Sequence, residues 1–211
     1  MKYQLAVFDF DGTLADSFPF FLRSFNLLAE RHGFSTIDVS QADQYRHCGA
    51  REMMRHVGLP AWRFPLVAKD FIALMREEAH QIPLFQGVDG VLQDLVAAGV
   101  KLAIVSSNAH DNICRILGPD NVRRVSHFEC GMSVFGKTAR IRRLLKNAGV
   151  PTQQALYIGD QITDIEAARK ARVAFGAVAW GYGSMDSLRQ HAPEEEFGCL
   201  ADIRRIAGAA I

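Results

Sequence analysis

The chain has 211 residues, 49% of them apolar, and sets 24 Lys and Arg against 23 Asp and Glu. That length suffices for one good core plus a smaller second domain. The near-neutral balance speaks against a nucleic-acid partner, and no stretch is long enough to span a membrane as a helix.

Leu5, Ala6, Val7 and Phe8 form an apolar run that reads as a buried parallel strand, because both faces of such a strand must be covered. Asp9 and Asp11 fall where that strand ends, and alternation along an extended backbone points them to the same side. A lone Asp there is also an ordinary helix cap or turn residue. Two carboxylates at the end of a buried strand are costly unless something offsets their charge, and a divalent cation does so. This edge is also where open α/β sheets place ligands.

Ser17 reads as a helix cap, followed by Phe18, Phe21, Leu22, Phe25, Leu28 and Ala29 at helical spacing and closed by Gly33. Helices are expected near Arg51–Val57 and Val67–His80, with no strand between Asp16 and Pro83. The Phe18, Phe21 and Phe25 stripe is expected to be bundle core rather than ligand contact. After Gly87, a helix containing Val88, Val91, Leu92 and Leu95 ends at Gly99, and Lys101–Val105 reads as a second buried strand.

Ser106, Ser107 and Asn108 follow that strand. They could donate to a phosphoryl oxygen, or simply cap the next helix. A helix, a short strand near His127–Cys130, a helix opening at Gly136-Lys137 and a strand at Ala155–Ile158 come next. Gly159 then precedes Asp160 and Asp164, one helical turn apart, which could share a face or act as N-cap and first-turn acid. The last expected strand is Val173–Ala179. Strands alternating with helices imply parallel βαβ units: an α/β, Rossmann-like, doubly wound parallel sheet.

The Arg140, Arg142, Arg143 and Lys146 cluster reads as a solvated helix face. Cys48, Cys114, Cys130 and Cys199 are widely separated, with no metal-type pairing, and read as free thiols in a reducing cytoplasm. Met1–Gln4 lead straight into the first strand, without a secretory leader.

The Asp9-Phe10-Asp11-Gly12-Thr13 motif, the strand ending in Ser106, Lys137 near a helix start and the Gly159-Asp160-x-x-x-Asp164 motif occur in that order. In these respects the chain resembles the haloacid dehalogenase-like superfamily, and the resemblance covers essentially its whole length. It implies a core of residues 1–16 and 85–211 and an inserted all-helical cap of residues 17–84. The two crossings between them, near Asp16-Ser17 and Pro83–Gly87, would be hinges.

It also implies phosphoryl transfer. Asp9 would be the nucleophile and Asp11 the acid/base. Mg²⁺ would sit on Asp9, the Asp11 backbone carbonyl, Asp160 and Asp164. Ser106, or alternatively Ser107, would bind phosphoryl oxygens with Lys137, and Asn108 would also contact substrate. Thr13 would position Asp11 and the turn, close to the substrate.

Within that superfamily, an Asp two residues after the nucleophile, here Asp11, implies a phosphatase or a mutase. The Asp9–Ser17 opening, the helical insertion and Trp180–Ser184 resemble the phosphoglycolate phosphatase branch. The expected substrate is therefore a small phosphorylated metabolite, phosphoglycolate-like or a sugar phosphate. A sugar-phosphate mutase and a non-enzymatic phospho-acceptor domain are the alternatives. Arg51, in the cap loop Cys48–Arg51, could pair with a substrate anion or stand exposed at a helix start. Monomer and homodimer both stay open.

Overall fold

The computed structural model describes residues 2–41, 45, 50–131 and 136–208, with the side chains of residues 50 and 51 outside that description. The expectations for Cys48 and for the Arg51 side chain thus lie outside the described residues.

Six strands form one sheet: β1 (Leu5–Phe8), β2 (Lys101–Val105), β3 (Val125–Glu129), β4 (Ala155–Gly159), β5 (Ala174–Val178) and β6 (Glu195–Phe197). Their order is β3-β2-β1-β4-β5-β6 and every pairing is parallel. The chain winds outward from β1 through β2 to β3, then crosses back to lay β4 on the other side of β1. The reversal falls between β1 and β4, and the crevice at such a switch is where doubly wound sheets hold ligands. Phe8 is in register with both Ile104 and Ile158, so Asp9 and the residues ending β2 and β4 emerge side by side.

The continuous apolar runs of the strands follow from burial on two faces. Ala6 and Phe8 pack with Val88, Val91, Leu92 and Leu95 of α4 (Val88–Ala97), with α5 (His110–Arg124) and with the C-terminal 3₁₀ segment Leu200–Ala207. Leu5 and Val7 pack the other way, against Ile141 and Leu144 of α6 (Gly136–Ala148), Ile165 of α7 (Ile162–Ala171) and Leu188 of α8 (Met185–Arg189). No described helix is long and apolar enough to cross a membrane.

Between β1 and α4 the described elements are helical: α1 (Phe18–His32), α2 (Ala50–His56), α3 (Phe64–Glu78) and three short 3₁₀ turns. Gly33 ends α1 at φ 66°, a left-handed conformation that a side chain would oppose. Phe18, Leu22, Phe25 and Leu28 of α1 form a separate cluster with Met53, Val57 and Val67, as the helical spacing predicts. The opposite side of α1 and α3 presents Phe20 and Met75 to the sheet's own core.

One expectation fails here. Arg140 does not lie on a solvated face: it is 5% exposed, and its guanidinium donates to the Ser106 carbonyl at 2.5 Å. Arg142, Arg143 and Lys146 are exposed as expected, Arg143 pairing with Glu129 and Arg142 donating to the Lys170 carbonyl at the surface.

Candidate active site

Asp9 and Asp160 leave adjacent strand ends, and Asp164 stands in the first turn of α7. All three are buried, and one carboxylate oxygen from each lies within 4.8 Å of the others. Lys137, at the start of α6, reaches into the same space. Its Nζ is 3.0 Å from Asp9 Oδ2 and donates to Asp164 Oδ1 at 2.5 Å.

Three carboxylates thus meet one ammonium in a desolvated site. Burial raises Asp9 well above the ordinary carboxylate range; Lys137 opposes this, while Asp164 and Asp160 add to it. Burial and the neighbouring Asp164 push Asp160 up to about 7, against the pull of the Tyr182 N–H and the Thr13 hydroxyl. Burial pulls Lys137 down, but Asp164 and Asp9 more than reverse this and hold the ammonium well above its ordinary value.

Local hydrogen bonds fix these acids. Asp160 Oδ1 accepts from Thr13 Oγ1 at 3.0 Å and its Oδ2 from the Tyr182 N–H at 2.7 Å. Asp164 Oδ2 accepts from the Gln161 N–H at 3.0 Å in a capping box, while Oδ1 faces Lys137. Helix capping and site building are therefore not alternatives for Asp164; its two oxygens serve one each. Gln161, not Asp160, is the N-cap of α7.

The residues fit a hard divalent ion. Oxygens around an octahedral Mg²⁺ lie roughly 3–4 Å apart, and carboxylates are its usual protein ligands. The cluster's spacing and its surplus of negative charge meet both conditions.

Asp11 is set apart from this cluster. Its Oδ1 accepts from Ser17 Oγ at 2.7 Å and its Oδ2 from Asn108 Nδ2 at 3.0 Å. Ser17 has one proton and gives it to Asp11, so the Tyr182 hydroxyl, 2.5 Å from Ser17 Oγ, must donate to Ser17. Burial raises the Asp11 carboxyl, against the opposing Ser17 and Asn108 bonds.

The scan against family models matches the haloacid dehalogenase-like hydrolase family over residues 6–178. The chain belongs to the haloacid dehalogenase-like hydrolases. A phosphoglycolate phosphatase of Synechococcus elongatus is 30% identical over 90% of this chain and 91% of its own length. Another, of Xanthomonas campestris, is 32% identical over 86% of each chain. A solved structure from Lactobacillus plantarum, a candidate phosphoglycolate phosphatase, superposes with a TM-score of 0.84 at 25% identity, covering 98% of this chain and all of that one.

In this hydrolase the structure brings Asp9, Lys137, Asp160 and Asp164 together and turns Asp11 toward the helical insertion. Thr13 is fully buried: its N–H closes the turn on the Phe10 carbonyl, as expected, but its hydroxyl goes to Asp160 rather than to Asp11. The Asn108 amide is likewise engaged, bonding Asp11 and Met75 Sδ. Ser106 is 1% exposed and its Oγ accepts from the Asn108 N–H, leaving the hydroxyl proton to donate. Ser107 is exposed and lines the adjoining cavities.

Residues missed by sequence reasoning are Ser17, which sits at the N-cap but makes no side-chain cap, and its partner Tyr182. Trp180 is another: its indole N–H donates to the Thr13 carbonyl at 3.0 Å and ties the two loops together. The Gly-rich run Trp180–Ser184 was the available signal.

Ser17→Ala tests the Asp11 network. Losing the Ser17 donor removes an interaction that favours the Asp11 carboxylate, so the Asp11 limb of the pH–rate profile moves to higher pH. If Asp11 is the acid/base that the resemblance implies, turnover falls about tenfold, a part of what such a group supplies. A merely structural Ser17 would lower activity without moving the limb.

Proposed function

We propose that this chain, a phosphoric monoester hydrolase by family, releases phosphate from a small phosphorylated metabolite through a phosphorylated Asp9, with Mg²⁺ bound. The supporting observation is the convergence of Asp9, Lys137, Asp160 and Asp164 at the sheet's switch point, beside a separately held Asp11.

Asp9 Oδ attacks phosphorus as the ester P–O bond breaks, and Asp11 delivers a proton to the departing alcohol oxygen. Asp11 then takes a proton from a water that attacks the Asp9 phosphate, freeing inorganic phosphate and regenerating Asp9. Lys137 lessens the repulsion between the Asp9 carboxylate and the phosphoryl oxygens. Ser106 donates its hydroxyl proton to one of those oxygens. Asp9, Asp160 and Asp164 would hold Mg²⁺, which supplies charge neutralisation at the phosphoryl group. Residues 17–84 act as the cap that shields the site from water.

The test is phosphate release from a panel of phosphate monoesters, phosphoglycolate included, with Mg²⁺ and with EDTA. Release should vanish with EDTA and return with Mg²⁺. Asp160 must be ionised to bind the ion, and its carboxyl lies at about 7. The apparent Mg²⁺ affinity should therefore be at least about tenfold tighter at pH 8 than at pH 6, because the raised Asp9 carboxyl must ionise as well. Full activity in EDTA would overturn the metal assignment, and no release from any ester would overturn the phosphatase reading.

A further inference from the structure

Two cavities lie between the helical insertion and the loops of the sheet edge. The larger, about 350 Å³, is walled by aromatic side chains of α1 and α3 and closed by Ser107, Gln161 and Tyr182. The smaller, about 300 Å³, starts at Asp11 and is bounded by Ile72, Met75 and Asn108. Phe64, Ala68, Phe71 and Ser107 line both, so the two cavities adjoin along these four residues, the smaller at Asp11 and the larger within the insertion. Among the described residues that line them, Asp11 is the only charged side chain. Each volume falls at the lower end of small-molecule sites, roughly 300–1,000 Å³.

An acid that protonates a leaving oxygen must stand within hydrogen-bond reach of it. The rest of the leaving alcohol then extends into the space beside that acid. Here that space is bounded by Phe64, Phe71, Ile72 and Met75, with Phe21 and Phe25 beyond. A charged leaving group would lose its water against these apolar side chains. An apolar one gains about fourfold in transition-state binding for each methylene it buries. The Phe18, Phe21 and Phe25 stripe is thus both bundle core and cavity wall.

We infer that the preferred substrate of this phosphatase is a phosphate monoester of an apolar alcohol, alkyl or aryl, whose body seats against Phe21, Phe64 and Phe71. This rests on the phosphatase reading above and departs from the substrate in the relatives' names.

The experiment compares kcat/KM for straight-chain alkyl phosphates from methyl to hexyl, and for phosphoglycolate, on the full chain with Mg²⁺. The series should climb by about fourfold per methylene until the cavity is filled. Hexyl phosphate should exceed phosphoglycolate by at least about tenfold, since several methylenes are buried. A flat series, or a preference for phosphoglycolate, overturns the inference while leaving the phosphatase reading intact. Absence of hydrolysis across the whole set overturns the phosphatase reading, and this inference with it. Ala68→Trp places an indole in the wall common to both cavities and should cut the hexyl-to-methyl ratio at least about tenfold. An unchanged ratio in that variant also overturns the inference.

Discussion

Asp9→Asn is expected to lower phosphate release by at least about 10⁴-fold, the scale on which losing a member of a covalent catalytic unit acts. The amide matches the carboxylate in shape and can still accept a hydrogen bond from Lys137, 3.0 Å away in the parent. It lacks the anionic oxygen that bonds to phosphorus, so no acyl phosphate forms. The fold should survive, and its pH response identifies the residue independently. Burial raises the Asp9 carboxyl well above its unfolded value, so the folded state holds that proton more tightly. Metal-free stability from this group is complete below the unfolded pKa and is lost as pH rises through the folded one. Asn removes that loss, so metal-free Asp9→Asn should melt at or above the parent temperature on the alkaline side. Acid-quenched parent enzyme should yield a phosphorylated peptide containing residue 9, and the variant none. Near-normal Mg²⁺-dependent turnover in Asp9→Asn would show that another group is the nucleophile.

The strands and the ends they present were legible because a strand buried on both faces leaves an uninterrupted apolar run. Leu5–Phe8 and Lys101–Val105 occur as read, and an acid just beyond such a run can only sit at the carboxyl edge. Strand ends placed Asp9 and Asp160, while Lys137 and the grouping of the four came from the order of motifs that the superfamily resemblance supplied. What stayed hidden depends on contacts distant in sequence. Ser17 opens a helix, and local reasoning makes such a serine a cap; its actual partners include Tyr182, 165 positions away. Arg140 shares a helix with three other basic residues, and only the Ser106 carbonyl, delivered by β2, explains its burial. The Thr13 hydroxyl could have served Asp11 nearby, but the packing of β1 beside β4 brings Asp160 within its reach instead. The edge strand Glu195–Phe197 is three residues long and begins with two acids, too short and too polar for periodicity to reveal.

Gly183→Ala is expected to remove most activity by a steric route that touches no reacting atom. A Cβ at Gly183 would lie 1.8 Å from the Asp160 carbonyl oxygen, and one at Gly181 would lie 2.1 Å from the Asp160 Cβ. The residue between them, Tyr182, supplies the N–H that holds Asp160 Oδ2 at 2.7 Å. The obstruction at Gly183 is backbone, so no side-chain rotation relieves it, and the loop must move away from β4. Such overpacking costs about 1–3 kcal/mol of stability, and a displacement near 1 Å at a catalytic group costs about 10²-fold in rate. The expected result is a lower melting temperature, a kcat/KM reduced at least about a hundredfold, and weaker Mg²⁺ binding by calorimetry. Gly90→Ala is the control: its Cβ would meet only the Arg204 guanidinium tip, at 3.3 Å. An alanine within α4 should be neutral or stabilising by up to about 1 kcal/mol. If Gly183→Ala kept parental activity and Mg²⁺ affinity, the 180–184 loop could not be what holds Asp160 in place, and the ligand geometry assigned to that residue would fall with it.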